Sequence, residues 1–151
     1  MSQKGFTLIE LMVTLAVVAV LATLAAPAFS GAFERSRADA EISELARTLN
    51  LARLEAINRS ESVSVEPKTD GSGWAAELVI KLGDDTVLRN IPAMASGAGL
   101  AEDNDAVSVV FNSLGGLEGD APVEITYTRG SSSKSVAVCL TGRIQTGAAC
   151  Q

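Results

Sequence analysis

The residues that most constrain this chain are an apolar run near its start. Residues 6–26 are Phe, Leu, Ile, Val, Ala and Met, broken only by three threonines (Thr7, Thr14, Thr23) and one ionisable residue, Glu10. A helix rises about 1.5 Å per residue, so 21 residues span roughly 30 Å, the thickness of a bilayer's hydrocarbon core. Such a run is expected to be a membrane helix, with a carboxylate inside it. An ionised carboxylate in a membrane helix costs on the order of 2.5–3.5 kcal/mol on insertion scales and usually marks function. If the chain were cut between Gly5 and Phe6, a new cationic amine would lie about one helical turn from Glu10. The resulting charge pair, within one chain or between neighbours, would offset the cost.

Two simpler readings compete for this stretch. A secretory signal peptide would use Lys4 as its basic end and Ala26-Pro27-Ala28 as a small-residue cleavage site. Its apolar centre would then exceed the usual 7–15 residues and carry Glu10 within it. A plain single-pass anchor satisfies the length but leaves Glu10 without a reason.

The ordered string Lys4-Gly5-Phe6-Thr7-Leu8-Ile9-Glu10-Leu11-Met12-Val13 resembles the N-terminus of type IV pilins and type II secretion pseudopilins. The resemblance implies that a prepilin peptidase cleaves after Gly5 and N-methylates Phe6. It also implies that Thr7 and Glu10 guide assembly into a filament of packed helices, with Pro27 at the family's helix kink. Residues 1–5 would be the leader, 6–29 the transmembrane and assembly helix, and 30–151 the globular pilin body.

Past Gly31 the composition turns charged. Ala38, Ile42, Leu45, Leu49, Ala52 and Ala56 follow at alternating steps of four and three, which predicts an amphipathic helix over residues 33–58 with a single apolar seam. Leu51, Leu54 and Ile57 are expected to widen that seam. The many Glu, Asp and Arg side chains of this segment read as a solvated face. Pro27, with Ser30 and Gly31 nearby, should bend or loosen the helix without ending it.

The seam needs a surface to cover it, and the remainder of the chain reads as strands. Residues 63–65, 74–82, 86–91, 107–112, 123–129 and 135–140 are rich in β-branched residues and bounded by Gly, Asp, Asn or Pro. Gly83-Asp84-Asp85 and residues 130–133 look like hairpin turns, and residues 92–105 like a longer loop. A long helix followed by short strands predicts an α+β fold. A membrane half and an amphipathic half share one helix, whose second half packs on an antiparallel β-sheet body spanning residues 62–151.

Composition limits function. The chain carries 18 acidic against 12 basic residues, a net charge of −6, which opposes nucleic-acid binding by the whole surface. It has no histidine, so imidazole metal sites and histidine-based triads are excluded. No cofactor or metal is expected, and no serine has a basic partner to activate it, so the chain does not read as an enzyme. Asp84, Asp85, Asp103 and Asp105 read as solvated turn residues. Cys139 and Cys150 would form a disulfide if the body is exported to an oxidising compartment, or otherwise remain two thiols.

Two further stretches refine the resemblance. Leu49-Asn50-Leu51-Ala52-Arg53-Leu54-Glu55-Ala56-Ile57-Asn58-Arg59 is similar to a motif of GspH/FimT-type proteins. Val138-Cys139-Leu140-Thr141-Gly142-Arg143 with Cys150 is similar to the C-terminal segment of FimT and FimU minor pilins. A FimU-like minor pilin would prime pilus assembly and link a tip complex to the major pilin. Its partners would be other minor pilins, the major pilin and prepilin peptidase. It would sit in the inner membrane with a periplasmic body, then in a surface pilus. A FimT-like protein would instead bind DNA through a Gly-Arg-x-Arg loop, of which this chain has Gly142-Arg143-Ile144-Gln145. Arg129 and Lys134 could then join Arg143 in a basic patch. A minor pseudopilin of a type II secretion system is the third possibility.

Overall fold

The computed structural model describes residues 5–95, 97–102 and 107–150; the side chains of residues 24–28 and 102 are outside the description. One helix, α1 (Leu8–Arg59), runs for 52 residues, about 78 Å at the standard rise. It continues through Pro27, so the proline does not end it. It stops at Ser60, which adopts the left-handed conformation (φ 57°, ψ 34°) and donates its N–H to Ala56 and Ile57, satisfying orphan carbonyls of the last turn.

Eight strands follow: β1 (Val63–Pro67), β2 (Leu78–Leu82), β3 (Val87–Ile91), β4 (Gly99–Glu102), β5 (Val109–Phe111), β6 (Val123–Arg129), β7 (Ser132–Val138) and β8 (Ile144–Thr146). They form two antiparallel sheets, ordered β3-β2-β1-β5 and β4-β6-β7-β8. The body is thus two four-stranded sheets under one helix. The seam identified by periodicity is the buried face of α1: Ala38, Ile42, Leu45, Leu49, Ala52 and Ala56 are all between 0 and 4 % exposed. Against it lie Val63, Val65, Val109 and Phe111 of the first sheet and Ile125, Tyr127, Val136 and Val138 of the second. The alternation in β1 and β6 that reads as half-buried strand therefore points inward.

Several expectations need correction. Leu54 and Ile57 are 55 % and 41 % exposed: Leu54 faces away from the seam, and Ile57 stands at its flank beside the Gly115 turn; of the three only Leu51 packs on the core. Residues 74–77 are not strand. A turn at Gly73 (φ +72°), closed by the Ala76 N–H on the Gly73 carbonyl, tucks Trp74 into the core at 1 % exposure. The segment read as a loop after Pro92 contains β4, whose sequence Gly-Leu-Ala-Glu carries little β preference and is held by pairing with β6. The hairpin after β6 turns on Gly130 and Ser131 alone, with Arg129 already paired to Ser132. Asp103 and Asp105 lie outside the described residues.

Candidate assembly site

The N-terminal arm is built from the first helical turns. Thr7 is the N-cap of α1 in extended conformation (φ −81°, ψ 151°), and its hydroxyl accepts the backbone N–H of Glu10 at 3.3 Å. Thr7-x-x-Glu10 is the spacing of a capping box, which places the Glu10 carboxylate at the third helical position, near the positive end of the helix dipole. That signal is legible in the sequence through Thr7 and the three-residue step. Thr14 and Thr23 turn their hydroxyls back onto the carbonyls of Leu11 and Val20, at 2.8 and 2.7 Å, and so remove their polar groups from the surroundings.

The large apolar side chains of the arm, from Phe6 (80 % exposed) and Leu8 (76 %) to Val20 (61 %) and Leu21 (60 %), stand outward on all sides. A helix apolar all round is a helix that is covered by something else, whether lipid or other helices. Among the described residues, no helix is long and apolar enough to cross a membrane. The side chains of residues 24–28, which continue the apolar run in sequence, are outside that description.

At the other end of the body, Cys139 and Cys150 are disulfide-bonded, with Cα atoms 5.5 Å apart, enclosing Gly142, Arg143 and β8. Arg143 is exposed, and with the Gln145 amide oxygen turned toward it the guanidinium donates two hydrogen bonds, from Nη2 at 2.6 Å and Nε at 3.0 Å. The residue standing where a second arginine would be therefore engages the first.

The structure does not bring the three basic residues together. Lys134 pairs with Asp39 on α1 at 2.7 Å. Arg129 is nearly buried beside Glu41, 3.8 Å away, and donates to the Ala95 carbonyl. Arg143 sits opposite Cys139, whose N–H donates to its carbonyl at 2.9 Å, and Cys139 is five residues past Lys134, or about 16 Å of strand. No common basic patch forms from these side chains.

Two features escaped the sequence. Glu41 is a junction: its carboxylate accepts the Ala95 N–H at 3.1 Å and the Tyr127 hydroxyl, and pairs with Arg129. Burial first, and then this hydrogen bond to Glu41, raise the Tyr127 pKa above the usual phenol value. Arg53, inside the helix motif, donates its Nε–H to the Gly115 carbonyl at 2.9 Å. Gly142 presses on the same carbonyl, so close that a Cβ there would sit 1.7 Å from the oxygen. The helix motif and the Gly-Arg turn are thus two sides of one contact. Among the described residues no group of acidic, Cys or His side chains converges as a metal site.

One helix carrying a two-sheet body, with a bare apolar arm and a methylation-type start, defines the pilin-like class. The family described as Type II transport protein GspH matches residues 41–143, and the prokaryotic N-terminal methylation motif matches residues 1–26. The chain belongs to this family of type IV pilin and pseudopilin subunits. The Type IV major fimbrial protein FimA of Dichelobacter nodosus is 30 % identical over 141 residues, covering 93 % of this chain and 77 % of that protein. In fold, the type IV minor pilin FimU of Pseudomonas aeruginosa is similar at a TM-score of 0.62 and 22 % identity, over 74 % of this chain and 86 % of that one. The minor pseudopilin EpsH of the Type 2 Secretion System of Vibrio cholerae gives 0.56 and 14 %, over 73 % and 95 %.

Proposed function

We propose that this chain is a minor pilin of a type IV pilus, working by packing and partner recognition without chemistry of its own. It is cleaved after Gly5 and methylated on Phe6, and held in the inner membrane by residues 6–29 with its body in the periplasm. It is then inserted into the pilus through α1. In the filament it primes assembly and links a tip complex to the major pilin. The observation that carries this reading is the division of α1. From Ala38 on, one face is sealed against the sheets, whereas before Thr23 every large apolar side chain is more than half exposed. Burying eleven such side chains, at about 1.5–3 kcal/mol each, is worth tens of kcal/mol to whatever surrounds the arm.

A pseudopilin of a type II secretion system is the second reading, supported by the GspH match and the EpsH-like fold. DNA binding is disfavoured by the occupied partners of Arg129, Lys134 and Arg143 and by the net charge of −6. Mass spectrometry of the mature chain tests processing: a first residue Phe6 carrying a methyl group is expected, and an intact leader or a cut near Ala28 would refute it. Cross-linking in cells then separates the first two readings, by whether the body is recovered with pilins or with secretion pseudopilins.

A further inference from the structure

The described basic side chains divide unevenly. Arg47, Arg59, Lys68, Lys81, Arg129 and Lys134 each face a carboxylate, Arg53 a carbonyl and Arg143 an amide oxygen. Among the described residues, Arg35, Arg37 and Arg89 are left without such a partner, in a chain with six more acids than bases. Two of the three lie on α1 just past the apolar arm.

The acids around them are turned elsewhere. Glu34 lies against Gly130, where a Cβ would meet its carboxylate at 2.3 Å. Asp39 is taken by Lys134 and Glu41 by Arg129 and Tyr127. Phe29 and Phe33, 62 % and 67 % exposed, lie on the side of α1 away from the buried seam. Arg37 follows Phe33 at a step of four toward the seam's flank, and Arg35 stands on the other side of the helix, so the four residues ring it. Aromatic then basic residues directly after an apolar span is the order of a membrane interface.

The geometry points to this collar, Phe29, Phe33, Arg35 and Arg37, as a binding surface for anionic lipid headgroups of the outer leaflet before assembly. This rests on the reading of residues 6–26 as the spanning segment. A span beginning at Phe6 leaves the hydrocarbon near residue 26, after roughly 30 Å. Phe29 then lies about 4 Å beyond, inside a headgroup layer some 5–8 Å thick, and Phe33 about 10 Å beyond, just past its outer edge. The Arg35 and Arg37 backbones stand about 13 and 16 Å beyond; because helical side chains lean toward the N-terminus, the Arg35 guanidinium can reach the edge of that layer, with Arg37 a few ångströms further out. There the forked donors match phosphate.

The test uses the full-length chain reconstituted in bilayers of phosphatidylcholine with phosphatidylglycerol, and spin-labelled versions of each lipid to measure their association with the protein. Phosphatidylglycerol should be preferred at low salt. In Arg35→Gln/Arg37→Gln that preference should fall roughly fivefold per arginine at the affected sites, and it should shrink with salt in the wild type. Arg89→Gln, on the body, should change nothing. A chain stripped from the bilayer by alkaline carbonate would overturn the membrane reading and this proposal with it. A chain that stays inserted, with the double variant retaining its lipid preference, overturns the headgroup site alone. An inserted double variant with unchanged lipid preference but weaker co-assembly with other pilins assigns the arginines to a protein neighbour and likewise overturns it.

Discussion

Replacing Gly142 with alanine should be among the most damaging single-methyl changes available in this body. Gly142 has φ +76°, where an alanine costs about 1–2 kcal/mol through its Cβ alone. The larger effect is the close approach to Gly115, whose carbonyl oxygen would lie 1.7 Å from the new carbon. That oxygen cannot simply retreat. The turn bearing it is closed by the Gly115 N–H on the Asn112 carbonyl (2.8 Å) and by the Asn112 amide oxygen, which accepts from Leu114 and Gly116 at 3.0 Å each. On the other side, Ile57 fills the space around Gly115. Moving the oxygen breaks its bond with Arg53 and strands a partly buried charged donor, a loss of about 1–3 kcal/mol. Together the two terms come to about 2–5 kcal/mol, a large part of the 5–15 kcal/mol typical of a domain. Gly147 is the internal control: its φ is +73°, but a Cβ there meets nothing within 4 Å, so Gly147→Ala should cost only the conformational term. Denaturant melts of the two variants in detergent micelles, followed by fluorescence of the single buried Trp74, measure the difference. Equal midpoints for the two would refute the clamp of α1 on the C-terminal turn.

Other outcomes follow from the same contacts. Removing the disulfide (Cys139→Ala with Cys150→Ala) should cost about 3 kcal/mol, from the entropy of a loop with a sequence separation of 11, read as a shift in denaturation midpoint. Tyr127, the sole tyrosine, should titrate above its ordinary value of 10.0, and Glu41→Gln should lower it, as read by the phenolate absorbance. The folded chain favours the neutral phenol, so its contribution is complete below pH 10 and is lost as the pH rises through the elevated folded value. Glu10→Ala should leave the body's melting unchanged yet reduce incorporation into filaments; equal recovery in sheared pili would discard a role for the carboxylate in assembly.

The helix was legible because its physics is local. A seam repeating at steps of four and three from Ala38 to Ala56 has few other solutions, and all six side chains are buried. Strands with β-branched alternation, such as β1 and β6, were legible for the same reason. What escaped is held by distant partners. β4 and β8 are four and three residues long and exist because β6 and β7 offer them edges. Trp74 reads as a strand residue by propensity, but the Gly73 turn sends it into the core. The charges on the helix likewise read as a solvated face, which holds for Glu44 and Arg47, with side chains 62 % and 79 % exposed. It fails for Glu41 and Arg53, whose partners Ala95 and Gly115 are 54 and 62 residues away. No periodicity encodes a contact of that kind. The proposed basic patch failed for the same reason, since the acids that claim Arg129 and Lys134 come from α1.

Whether Glu10 is a capping residue or an assembly residue turns on magnitude. Thr7 and Glu10 stand at capping-box spacing, but the hydrogen bond between them uses the Glu10 backbone N–H and leaves the carboxylate without a partner among the described residues. What the helix terminus gives that carboxylate is the dipole, about 0.3–1 kcal/mol at an exposed site. Lipid asks for on the order of 2.5–3.5 kcal/mol. Capping alone therefore leaves a deficit of roughly 2 kcal/mol, which a nearby positive charge would more than offset: at about 4 Å and an effective dielectric near 20, an amine contributes about 4 kcal/mol. Under the proposed processing, the amine released by a cut before Phe6 would be such a group, in this chain or in a neighbour packed beside its arm. Local helix chemistry explains where Glu10 sits; the proposed cleavage before Phe6 would supply the positive charge that lets it remain an acid.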